Sequence, residues 1–118
     1  MYFPDLTPYQ YSPIQAQPQA NRVNIGWLDK AHPFATSEPS GELVRALHKL
    51  VHHPVRISAP LHLCELCGNA AGTGEIEVNA QDVIYVAPTL IAHYVEQHHY
   101  RPPAEFEVAA LTQAKALR

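Results

Sequence analysis

The chain is 118 residues long, 47% hydrophobic, and carries a formal net charge of −3 with eight Lys and Arg residues. This fits one small globular domain. No apolar run approaches the roughly 20 residues of a membrane-spanning helix, and the scattered cations leave a nucleic-acid binder without its electrostatic footprint. Two cysteines are too few for a disulfide framework and suit a reducing compartment, and Met1-Tyr-Phe-Pro-Asp5 lacks the basic-then-apolar layout of a signal peptide, so the expected location is the cytoplasm.

In chain order, residues 1–22 read as an extended arm and loop. Pro4 and Pro8 exclude a regular helix, and the aromatics are too many for a solvated tail. Phe3, Leu6 and either Tyr9 or Tyr11 are the expected anchors, followed by a loop from Pro13 to Asn21. Residues 23–103 form the expected core. Val23-Asn-Ile-Gly-Trp-Leu28 alternates as a strand does, with Trp27 near the core. His32-Pro-Phe34 and Pro39 are connection. The clearest helix follows: Ser40 caps it, Leu43, Val44, Leu47, Leu50 and Val51 form one apolar stripe, and Pro54 stops it. His48 and His52 lie four apart on this helix with His53 beside them, a spacing that can chelate metal but that no cysteine or carboxylate joins in sequence. Val55-Arg-Ile57 and Leu61-His-Leu63 read as short strands broken by Pro60.

Residues 61–100 carry the chemistry. Cys64-Glu-Leu-Cys67-Gly68 has the form of a zinc knuckle: both thiolates can turn inward from one tight loop, and the glycine relieves the backbone where it doubles back. Gly74-Glu-Ile-Glu-Val78, Asn79-Ala-Gln-Asp82 and Val83-Ile-Tyr-Val86 read as strand, turn and strand. A helix then begins after Pro88, with Thr89 as its cap and Pro102-Pro103 as its end, and supplies His93 and His98. Four residues separate these histidines, within the range of Cys2His2 sites. Five helical positions rotate roughly 140°, so His98 must sit where the last turn loosens; His99 and His62 are the alternative fourth ligands. The expected cofactor is Zn2+, held by Cys64, Cys67, His93 and His98. The other readings of the same residues are buried reduced cysteines beside surface histidines, or a redox Cys-x2-Cys pair. Knuckle, hairpin and helix in that order resemble a treble-clef zinc module, although the helix ligands of that family usually come from its first turn. Ala104 to Leu117 forms a last helix, with Glu105 and Glu107 in its first turn, Lys115 and Arg118 at its end, and Phe106, Ala110, Ala114 and Leu117 on one stripe. Its many alanines suggest either close packing or a detachable helix. The expected fold is α+β: a single domain with a zinc knuckle, a β-hairpin, a zinc-ligating helix and two further helices.

Tyr2-Phe-Pro-Asp-Leu6, Asn24-Ile-Gly-Trp-Leu-Asp29, His32-Pro-Phe34, His62-x-Cys-Glu-x-Cys67, Gly74-Glu-Ile-Glu-Val78 and Ala87-Pro-x-Leu-Ile-x-His-Tyr-Val-Glu-x-His98, followed by Tyr100-x-Pro-Pro-x-x-Phe106, resemble a family of small bacterial proteins of unknown function. The resemblance implies a single-domain bacterial protein in which Cys64, Cys67, His93 and His98 belong together. It implies no activity.

A structural zinc is closed by four protein ligands, whereas a catalytic zinc keeps a position for water. With four candidates present, the leading expectation is a non-enzymatic zinc module that binds another protein as an adaptor, regulator or immunity-type partner. The competing expectation is a zinc hydrolase or deaminase with Glu65 or Glu96 as general base, although neither His-Glu-x2-His nor the deaminase order of motifs occurs.

Overall fold

Strand β5 (Ile84–Pro88) is the axis of the molecule, because it is paired on both sides. The computed structural model describes residues 2–9, 22–55 and 62–117. Within them, β1 (Arg22–Asn24), α1 (Gly41–Val51), β2 (His62–Leu63), β3 (Ala71–Gly72), β4 (Glu75–Asn79), β5, α2 (Ile91–His98) and α3 (Ala104–Ala116) follow in order. β4 runs antiparallel to β5 with Ile76 opposite Ala87 and Val78 opposite Tyr85, as the hairpin pattern predicts. β1 lies on the other side of β5, parallel to it, with Val23 opposite Tyr85. The fold is thus α+β, with three helices and two sheets among the described residues.

Alternation along β4 turns Ile76 and Val78 inward and leaves Glu75 and Glu77 on the other face. The inward set joins Tyr85 and Ala87 in one core with Leu43, Leu47 and Leu50 of α1 and Phe106, Ala110 and Ala114 of α3. Phe106 is wholly buried and meets the Tyr85 ring edge to face at 5.6 Å. The alanines of α3 therefore serve close packing against α1 and β4, and the detachable alternative does not hold. α1 matches its sequence signals: the Ser40 hydroxyl accepts from the Leu43 amide, and its apolar stripe faces the core.

The arm lies along β1 as an edge partner. Leu6 N donates to Asn24 O, Asn24 N to Thr7 O and Tyr9 N to Arg22 O, and Phe3 and Pro8 bridge antiparallel to Trp27 and Val23. Tyr9 is a buried anchor, while Phe3 is half-buried edge-on against Trp27. Leu6 is not an anchor: it is 45% exposed and occupies a left-handed conformation at φ 69°, because the chain turns there between Pro4 and Thr7. Tyr11 and the Pro13–Asn21 loop lie outside the described residues, as do Arg56, Ile57, Pro60, Leu61 and Arg118 of the other expected elements. Val55, which was expected to begin a strand, instead sits in a bend and donates its amide to Glu75 O.

Two further expectations, on the extent of the first strand and on the cap of α2, are corrected. The strand expected over Val23–Leu28 covers only Arg22–Asn24, since Gly26 turns the chain at φ 76° and its amide goes to the Asp5 carboxylate. Trp27 is half-buried, its indole N–H donating to Val86 O. Thr89 does not cap α2: its hydroxyl donates to Thr73 O, and the helix begins from Leu90 without a side-chain cap.

Candidate metal centre

The cysteines come from a turn built as the sequence suggests. Gly68 N donates to Cys64 O at 2.7 Å, and Gly68 itself sits at φ 72°, a conformation that a side chain would strain. What the sequence did not reveal is a minimal hairpin on which this turn stands. His62 pairs with Gly72 and Leu63 with Ala71, and Cys64 N reaches Ala70 O. Gly72 then lets β3 press against the start of α2: a Cβ there would come within 2.7 Å of Thr89 Oγ1 and 3.3 Å of the Leu90 side chain. This close approach holds the knuckle beside the helix that carries the histidines.

On α2, Ile91, Ala92, Tyr94 and Val95 bury one face, leaving His93 and His98 half-exposed at its border. The helix ends at His98, before Pro102 and Pro103, because His99 adopts the left-handed conformation at φ 57° and both its amide and that of Tyr100 fall on the Tyr94 carbonyl. With the helix stopped there, His98 turns its imidazole back onto that of His93.

Cys64, Cys67, His93 and His98 converge, each offering one ligand atom, and these four atoms all lie within 4.8 Å of one another. Cys64 Sγ is 3.5 Å from His98 Nε2, Cys67 Sγ is 3.4 Å from His93 Nε2, and the two Nε2 atoms are 3.2 Å apart. Cys64 is buried and Cys67 exposed. Of the alternative fourth ligands, His62 and His99 are both outside the group, His62 exposed on β2 and His99 turned out by its own backbone. His48, His52 and His53 form no second set among the described residues. His48 instead meets Glu96, Nε2 to Oε1 at 2.8 Å, linking α1 to α2 across the surface, a pairing no local pattern announces.

The electrostatics suit a cation. Burial pushes the Cys64 thiol up, and burial followed by the neighbouring His98 lowers the His93 pKa, which favours the neutral ring, the form in which an imidazole can donate a lone pair. Burial also pushes the Tyr94 hydroxyl up to about 12, with the sulfurs of Cys64 and Cys67 and the Glu65 carboxylate adding to the effect. A positive ion among two sulfurs and two nitrogens would offset the cost of gathering them. This is a small α+β domain with a Cys2His2 group positioned to bind a metal ion.

The chain belongs to the family described as Domain of unknown function (DUF7919), which matches residues 1–111. No curated protein and no solved structure matches it. No helix among the described residues is long and apolar enough to cross a membrane.

Proposed function

We propose that this is a zinc-stabilised protein-binding module of the cytoplasm, its Cys2His2 site closed and structural. The observation that carries the reading is the spacing of the donor atoms. Zinc bonds of about 2.3 Å to sulfur and about 2.05 Å to nitrogen, at tetrahedral angles, put sulfur about 3.6 Å from nitrogen and two nitrogens about 3.3 Å apart. The corresponding separations here are 3.5, 3.4 and 3.2 Å. Two thiolates and two imidazoles are also the donor set that zinc prefers over harder divalent ions.

Four protein donors leave no position for a water nucleophile. Glu96, a general base in the catalytic reading, is engaged by His48, and neither it nor Glu65 belongs to the donor group. The zinc would therefore tie the knuckle to α2, and the work of the domain would be done by its surface. Leu63, 61% exposed immediately before Cys64, and the Tyr2 ring stacked on His32 at 3.9 Å are surface groups suited to a protein partner acting as client or regulator.

Native mass spectrometry of the full chain, before and after a chelator, tests this. One zinc per chain, with its removal broadening the charge-state distribution towards unfolded forms, is the expected result. A compact apoprotein would favour an exchangeable, catalytic site, and no bound metal would end the zinc reading.

A further inference from the structure

The two sulfurs of the centre are unequal. Cys64 is 1% exposed, whereas Cys67 is open to solvent. Around Cys67 the turn is uncrowded: nothing lies within 4 Å of where a side chain on Gly68 would begin. The Asn69 amide donates to Cys67 Sγ at 3.4 Å, holding the sulfur at the open side of the turn. Both sulfurs belong to the group whose ligand atoms lie within 4.8 Å of one another, so they are near enough for side-chain rotation to join them. Their Cys-x2-Cys spacing is also that of redox-active dithiols.

We propose that Cys67 is an oxidant-reactive modification site, and that a peroxide attacking it opens the metal centre through a Cys64–Cys67 disulfide. The proposal rests on the metal reading above. In the first step the Cys67 thiolate attacks one oxygen of the peroxide. An S–O bond forms, the O–O bond breaks, and hydroxide leaves, so that Cys67 becomes a sulfenic acid. In the second, the Cys64 thiolate attacks the Cys67 sulfur. The S–S bond forms, the S–O bond breaks, and a second hydroxide leaves. The two sulfurs together lose two electrons, and hydrogen peroxide gains them and ends as two hydroxides, which take up protons to give water. Only His93 and His98 then remain as donors, too few to retain the ion. Exposure dictates the order, since the buried Cys64 is shielded from solvent and is placed to act as the resolving sulfur.

The test uses the full chain loaded with an equimolar amount of Zn2+ and treated with hydrogen peroxide. Free zinc is followed with a chromophoric chelator and the protein by intact mass. Zinc release in step with the loss of two hydrogen atoms in mass is expected. Under iodoacetamide, Cys67 of the zinc-loaded protein should be alkylated faster than Cys64 by a factor on the order of ten. Cys67→His keeps four donors without the exposed thiol, and should retain zinc with peroxide-driven release slowed by a factor on the order of ten; should this variant fail to fold, the alkylation order in the unaltered chain decides. Zinc that stays bound through peroxide, zinc that leaves without a disulfide, or equal alkylation of the two cysteines would each overturn the proposal. Failure to take up zinc at the outset would instead overturn the metal reading on which it rests.

Discussion

The Tyr100 hydroxyl donates to Asp5 Oδ2 at 2.6 Å, across 95 residues of sequence. The other oxygen of the same carboxylate accepts the Gly26 amide at 2.9 Å, so Asp5 joins the arm, the segment after β1 and the residue just beyond α2. Tyr100 is buried, and it lies two positions after His98, so the end of the helix that supplies His93 and His98 and the seat of the arm are one structure.

Tyr100→Phe is expected to cost about 1.5–3 kcal/mol, the range for a hydrogen bond to a charged group. Burial, with the Asp5 carboxylate beside it, holds the Tyr100 pKa far above the ordinary 10.0. The native state therefore keeps this proton where the unfolded chain loses it. The stabilising contribution is complete below pH 10 and declines above it by about 1.4 kcal/mol per pH unit. Urea titrations of both proteins should show their stability gap shrinking above pH 10; a gap independent of pH would count against the assignment.

His98→Ala should weaken zinc binding by more than about a hundredfold, because a donor is lost outright. His99→Gly should leave zinc affinity unchanged and stabilise the fold by about 0.5–1 kcal/mol, since glycine accepts the left-handed conformation without strain. Competition against a zinc indicator, with thermal melts alongside, checks both. Zinc loss in the His99 variant would assign the fourth ligand to His99 in place of His98.

Leu6→Gly removes a side chain from another left-handed position, at φ 69°. Relief of that strain, less the extra freedom of glycine in the unfolded chain, should leave a net gain of about 0.5–1 kcal/mol. A lower melting temperature would show that Leu6 packs more usefully than its exposure implies.

Phe106→Ala should destabilise by about 3–5 kcal/mol, as its wholly buried ring fills the space between α3 and Tyr85. Chemical denaturation reads this directly, and a cost below about 1 kcal/mol would contradict the packing of α3.

Local patterns made α1, the β4–β5 hairpin and three of the four residues of the Cys2His2 group legible. Each rests on a short-range rule: an apolar stripe with its cap, alternation around a turn, and ligand spacing. The losses share a cause, which is competition from distant partners. Thr89 has the right residue type for a cap, yet the carbonyl of Thr73 takes its hydroxyl. Pro102 and Pro103 can end a helix, but His99 had already done so through the Tyr94 carbonyl. The parallel pairing of β1 with β5 joins residues about 60 positions apart, which no local signal encodes. β3 is two small residues, Ala71 and Gly72, whose pairing follows from the knuckle and not from their β-propensity. The fourth ligand stayed open among His62, His98 and His99 because the choice depends on the rotation of one last helical turn.

Gln113 gives the outer flank of the sheet a further property. Its side-chain amide donates to Glu77 O at 2.8 Å and accepts from Asn79 N at 2.7 Å, the donor and acceptor pair that an incoming strand would present to β4. Val55 occupies Glu75 O on the same flank, and the arm lies along β1 on the opposite one. A helix side chain thus takes the place of a neighbouring strand: these backbone groups of β4 are already paired, and the charges of Glu75 and Glu77 in the same strand add to the protection of this edge against pairing with another copy.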